Sequence, residues 1–139
     1  MSFLSDVYTL LSEDEDLMEL LTGGIYTGED MQEITRQTAP EAFDDDKKIK
    51  PCALIKLGTE LKGQVYLRSV QTPFMIYFYQ FTGYDVINDA NARAYDLLNE
   101  VQVGDKVWNI EYENTLFNQL DIALDCSLVT LRMSAVRER

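Results

Sequence analysis

Residues 72–81 read as a strand that is apolar on both faces. Phe74, Ile76 and Phe78 point one way, and Met75, Tyr77, Tyr79 and Phe81 point the other. A strand of this kind must be covered twice. Helices can take one face, while the other needs a second sheet, a partner chain or a strand-rich arm. Phe74, Ile76, Phe78, Tyr77 and Tyr79 are therefore candidates for a protein interface. A base-stacking platform built from these rings and Tyr66 would need flanking cations, and only Lys62 and Arg68 lie near them in sequence. Core or protein contact is the better reading.

Other segments supply the layers that such a strand demands. Residues 51–57 form a strand nearly apolar on both faces and ended by Gly58, and residues 64–70 form another with better alternation. Strands are expected again over 107–113, with Trp108, Ile110 and Tyr112 on one face, and over 122–136. The most regular helical pattern is Val86, Ile87, Ala90, Ala94, Leu97, Leu98 and Val101, with Asp85 as its cap and Gly104 as its stop. Phe3, Leu4, Val7, Leu10 and Leu11 give an amphipathic first helix. Ser12-Glu13-Asp14-Glu15 matches a capping box, followed by the stripe Leu17, Met18, Leu20 and Leu21 and the stop Gly23-Gly24. This is either two helices or one bent helix.

No period runs through residues 26–50, although Met31 and Ile34 could face inward from one turn. A segment this long without structure reads as a mobile arm. The order is α-(α)-arm-β-β-β-α-β-β. It gives an α+β fold, an antiparallel sheet of mixed strand order with helices packed on one face. With 139 residues, the chain is expected to be a single domain spanning 1–139.

Charge limits the function. Twelve Lys and Arg against 24 Asp and Glu leave −12 at pH 7, which opposes non-specific binding to nucleic acid or anionic lipid. The acids cluster at Glu13, Asp14, Glu15 and Asp16 and again at Asp44, Asp45 and Asp46. Neither spacing fits an EF-hand loop, and both read as solvated acidic faces. The absence of histidine removes the commonest general base and zinc ligand. Cys52 and Cys126 stand alone in expected strands and read as small buried hydrophobes. No glycine-rich phosphate loop is present, and no pair of carboxylates stands apart as a glycosidase pair would. These features point away from an enzyme, and no cofactor or metal is expected. The N-terminus lacks the basic region of a signal peptide, and the longest apolar run, residues 74–79, falls far short of the roughly 20 residues a membrane helix needs. A cytoplasm-like compartment is expected.

Read in order, the elements resemble those of small tail-terminator, or tail-completion, proteins of long-tailed bacteriophages. The resemblance rests first on the helix closing at Leu20-Leu21-Thr22-Gly23-Gly24-Ile25-Tyr26 and the acidic arm leading to Lys50-Pro51-Cys52-Ala53-Leu54-Ile55. It continues through the aromatic strand Phe74-Met75-Ile76-Tyr77-Phe78-Tyr79 and the helix over 85–101. The closing strand runs from Leu120-Asp121-Ile122-Ala123-Leu124-Asp125-Cys126-Ser127-Leu128 to Leu131-Arg132-Met133-Ser134-Ala135-Val136. Nearly the whole chain is covered.

The resemblance implies a non-enzymatic virion protein, assembled in the host cytoplasm, that forms a homo-oligomeric ring at the neck, commonly six-fold. The ring would cap the tail tube and join it to the head. Its implied partners are further copies of the chain, the tail tube protein and a head-connector protein, with no membrane contact. DNA would pass through the lumen without specific binding. Glu13 to Asp16 and Asp44 to Asp46 are the candidates for lining that lumen or the arm. Two other readings stay open: an acidic DNA mimic that inhibits a nucleic-acid-binding protein, and a head-closure or stopper connector of the same structural class.

Overall fold

The computed structural model describes residues 3–59, 61–62, 69–103 and 107–138. Its elements are helices α1 (Phe3–Ser12), α2 (Glu15–Leu20) and α3 (Asp85–Leu98), a 3-10 turn at Pro40–Ala42, and six strands. The strands are β1 (Ile25–Thr27), β2 (Cys52–Leu57), β3 (Leu61–Lys62), β4 (Ser69–Gln80), β5 (Val107–Asp121) and β6 (Cys126–Glu138). They form one sheet in the order β1-β2-β4-β6-β5, with β3 also paired to β4. Only β1 and β2 run parallel; the other pairs are antiparallel. The fold is α+β, as the order of elements implied.

Strand parity decides which side chains meet which layer. From β2 and β4, Ala53, Ile55, Phe74, Ile76 and Phe78 face the helices, where they join Leu4, Val7, Leu11, Leu17, Ile87, Ala90, Ala94 and Leu98 in the main core. The alternate residues Cys52, Leu54 and Tyr79 face the other way. There they meet Ile34, Ala39, Ala42 and Ile49, with Cys126 from β6. The cover demanded by the twice-apolar strand is therefore the segment 26–50 itself. That segment is irregular, as the missing period suggested, but it is packed and not free. It opens with β1, closes a small loop through a Phe43–Ile49 bridge, and buries four apolar side chains. Gly23 lets this happen, since its Cα comes so close to β2 that an added Cβ would lie 3.0 Å from both Cys52 Cβ and Pro51 O.

Several boundaries differ from the sequence reading, each for a physical reason. Asp14, not Ser12, caps α2: its carboxylate accepts from Leu17 N–H at 2.9 Å, while Ser12 Oγ donates back to Thr9 O. Of the two arrangements the sequence left open, the chain takes two helices. The N-terminus of α3 is capped from β4 rather than by Asp85. Gln80 Oε1 accepts from Ile87 N–H, and Gln80 Nε2 donates to Asp85 at 2.7 Å. The helix ends at Leu98, because Glu100 turns to φ 63 and its N–H donates to Ile110 O. The apolar spacing continues to Val101 only because that residue still packs on the core. Gly104 lies outside the described residues.

The strand expected over 64–70 lies mostly outside the described residues, but Ser69 and Val70 belong to β4, in register with β6. Pro73 is tolerated in this interior strand. Its missing donor faces the break between β2 and β3, where Gly58 N–H donates to Pro73 O at 2.7 Å. The largest correction concerns residues 114–125. β5 continues to Asp121, and residues 122–125 form the turn of a hairpin, not the start of the last strand. Register breaks at Tyr112/Asn114 and Leu116/Gln119 shift the inward parity, so no alternation of period two survives to be read.

Candidate functional site

Of the five aromatic and aliphatic candidates on β4, four are buried within the single chain and Tyr77 is not. Phe74, Ile76 and Phe78 are fully buried under the helices, where Phe74 meets Phe3 edge-to-face with ring centroids 5.2 Å apart. Tyr79 is buried beneath the segment 26–50. Tyr77 is half-buried and lines an open cavity of about 640 Å³ between that segment and the β5–β6 turn, together with Phe43 and Phe81. Of the two readings, core or protein contact, the three that face the helices take the core one within the single chain. The chain covers most of its own strand, leaving Tyr77 and Phe81 partly open at the cavity.

The two acidic clusters lie on opposite faces of the sheet. Glu13 to Asp16 belong to the helix layer. Asp44 to Asp46 belong to the segment on the other side, where Asp44 holds a tight turn by accepting from the N–H groups of Asp46 (2.9 Å) and Lys48 (3.0 Å). Lys47, at φ 65, turns that loop, and Lys48 Nζ sits 4.9 Å from the centre of the Phe81 ring. Cations are therefore interleaved with the second cluster.

The helix layer is different. Residues 3–20 and 85–100 hold ten acidic side chains and one basic one, so three-quarters of the chain's net charge belongs to one layer. Glu13, Glu15, Asp16, Glu19, Asp85, Asp89, Asp96 and Glu100 are exposed on it. Sequence reasoning found the α2 cluster and missed the α3 acids, because they are spread at Asp85, Asp89 and Asp96. Only on a helix surface do such spacings gather into one stripe.

The one base of that layer is not available to a ligand. Arg93 grips Asp14 with both ends of its guanidinium, Nε to Oδ2 at 2.9 Å and Nη2 to Oδ1 at 2.7 Å. The pair joins α3 to the cap of α2, with side chains 38% and 13% exposed. The hydrogen bonds from Arg93 hold the Asp14 carboxyl below the usual carboxylate range, helped by the Leu17 amide and opposed by partial burial. Folding thus favours the charged form. This stability is present above the unfolded aspartate value of about 3.9 and is lost as pH falls through the lower folded value. A carboxyl titration followed by NMR should place Asp14 below about 3.9. Arg93→Met should raise it and remove that part of the acid sensitivity. A titration unchanged by Arg93→Met would contradict the pairing.

No constellation for catalysis emerges among the described residues. Cys52 and Cys126 are free thiols buried in the second core. Burial pushes Cys126 up to about 12 and Cys52 upward as well, so neither is poised as a thiolate nucleophile. Among the described residues no group of three or more His, Cys, Asp or Glu is placed to hold a metal ion, and no helix is long and apolar enough to cross a membrane.

The feature that sequence reasoning missed altogether is an exposed apolar edge on β5, formed by Leu116, Phe117, Leu120 and, at the turn, Ile122. Its signal is weak in sequence, since these side chains sit among Asn114, Thr115, Asn118 and Gln119 and follow no period.

No protein-family model matches the chain, and no curated protein matches it. Among solved structures, the fold is similar to that of a chain in the virion of a native gene transfer agent particle. The TM-score is 0.66 at 15% identity, over 99% of this chain and 96% of that one. At that identity the likeness is one of fold.

Proposed function

We propose that this chain is a non-enzymatic structural subunit of a phage-like virion, of the tail-terminator kind. In this reading, copies form a ring at the neck, with the tail tube protein on one side and a head-connector protein on the other. The observation that carries it is the end-to-end fold likeness to a virion chain. The segregation of charge supports it independently. A ring that lets DNA pass benefits from a lumen of like sign, and the helix layer offers a nearly unbroken acidic surface. Glu13, Glu15, Asp16 and Glu19, with Asp89 and Asp96, are the lumen acids in this arrangement. Asp44, Asp45 and Asp46 face elsewhere.

The test is the particle itself. Deleting the gene from a particle-producing genome should leave heads and tails unjoined by electron microscopy, and the tagged chain should be found at the neck of restored particles. Normal particles without the chain would refute the proposal.

The acidic layer also suits a DNA mimic, whose carboxylates must be spaced over a surface. That reading requires a monomer or dimer that displaces DNA from a basic partner, and it predicts no place for the chain in purified particles.

A further inference from the structure

The β5 edge is the part of the surface that the single chain leaves unexplained. Residues 114–120 contain no charged residue in a chain of −12. Leu116, Phe117, Leu120 and Ile122 are 40%, 53%, 73% and 94% exposed. Sheet edges are normally kept from sticking by charges, prolines or bulges. Over residues 114–120 the bulges are present and the charges are not, the nearest on the strand being Glu113 and Asp121. The register breaks between Leu116 and Gln119, and Asn118 turns to φ 55. The backbone is therefore ill-suited to adding another strand, while the side chains stand out as an apolar knob.

At the opposite edge of the sheet lies β1, only three residues long. A groove of about 350 Å³ runs beside it, lined by Tyr8, Ile25, Tyr26 and Thr27, with Glu29 and Asp30 also in its wall. Tyr8 is 39% exposed there.

We propose that the β5 knob of one copy of this chain docks in the β1 groove of the next copy. The inference rests on the ring reading above and names the surfaces that make it. Three observations select a second copy as the occupant. Two chains at −12 repel wherever their acidic layers meet, so a self-contact must use surface poor in charge, and residues 114–120 are such a surface. Charge at the margin is complementary. Arg132, exposed on β6 opposite Asn114 in register, carries the sign opposite to that of Glu29 and Asp30 in the groove wall. The placement also fits, because three strands separate knob from groove. A chain cannot fill its own groove. The contact is head-to-tail, and such a contact closes into a ring when the rotation permits.

Light scattering on separated variants tests this. Phe117→Asp with Leu120→Asp spoils the knob, and Tyr8→Asp spoils the groove. All three positions are exposed, and circular dichroism melts confirm that each variant folds. The wild-type chain is expected to assemble, and each variant alone to run at the 16.0 kDa of one chain. Mixed in equal amounts, the two variants should give a species of twice that mass and nothing larger, because each retains one working half.

Variants that assemble as the wild type does would overturn the contact and leave the ring reading intact. A groove variant that assembles unaided would mean that knobs meet knobs, which also overturns it. A wild-type chain that stays monomeric at millimolar concentration overturns it as well, while the virion reading is decided separately by the particle experiment.

Discussion

Replacing Phe78 with alanine is expected to destabilise the fold by about 3–5 kcal/mol, against a total stability of about 5–15 kcal/mol for a domain of ordinary size. The ring lies at the centre of the sheet, in register with Ala53 on β2 and Val129 on β6, and it is 1% exposed. Its removal loses apolar burial and leaves a cavity that the flanking helices can only partly collapse. Urea unfolding should show a lower midpoint with an unchanged slope. The experiment also separates a core residue from an interface residue. Loss of a core side chain weakens the chain equally at every protein concentration, whereas loss of an interface side chain weakens it through assembly. A Phe78→Ala chain with wild-type stability and altered mass would return Phe78 to the interface.

The second large effect is expected from charge. Changing Glu19, Asp89 and Asp96 together to lysine alters three exposed sites on the helix layer. Each reversal shifts the charge by two, so the three take the chain from −12 to −6. Lysine suits the last turns of α2 and α3, where Glu19 and Asp96 lie, because the helix dipole there favours a cation. Rings should still form, but they should hold duplex DNA at low salt and release it steeply as salt rises. Screening confines the effect to about 8 Å at physiological salt, so only acids that face the passing polymer contribute. Particles carrying the variant are expected to deliver DNA at least about tenfold less well, since one residual contact worth about 1.4 kcal/mol already retards release tenfold. Undiminished delivery from normally assembled particles would remove the helix layer from the lumen.

What the sequence revealed, and what it hid, follows from the range of the interactions involved. The helical stripes of α1 and α3 and the two-faced pattern of β4 are local, and they could be read directly. The need for a second cover on β4 was also legible. Which of the three possible covers supplies it was not, because Ala39, Ala42 and Ile49 join Ile34 with no common period, each at a separate turn of an irregular path. The acidic layer was half visible. Glu13 to Asp16 are neighbours in sequence, whereas the α3 acids join them only after α2 and α3 pack together. The β5 edge was invisible for the opposite reason: its register breaks erase the alternation that marks a strand. Capping was misplaced at Ser12 and Asp85 because Asp14 and Gln80 do that work through contacts that no local motif encodes.

The position of β6 has a consequence for how the chain acquires its structure during synthesis. β6 lies between β4 and β5, so β4 cannot be paired on both sides until residues beyond 126 have been made. Until then a nascent chain carries Phe74, Ile76 and Phe78 on a strand paired on one side only. The sheet is thus finished by one late insertion, and this is the stage at which chaperones and aggregation compete for it. Slowing translation before residue 126 is expected to lower the soluble yield, and the same pause placed earlier, within α1, should have little effect.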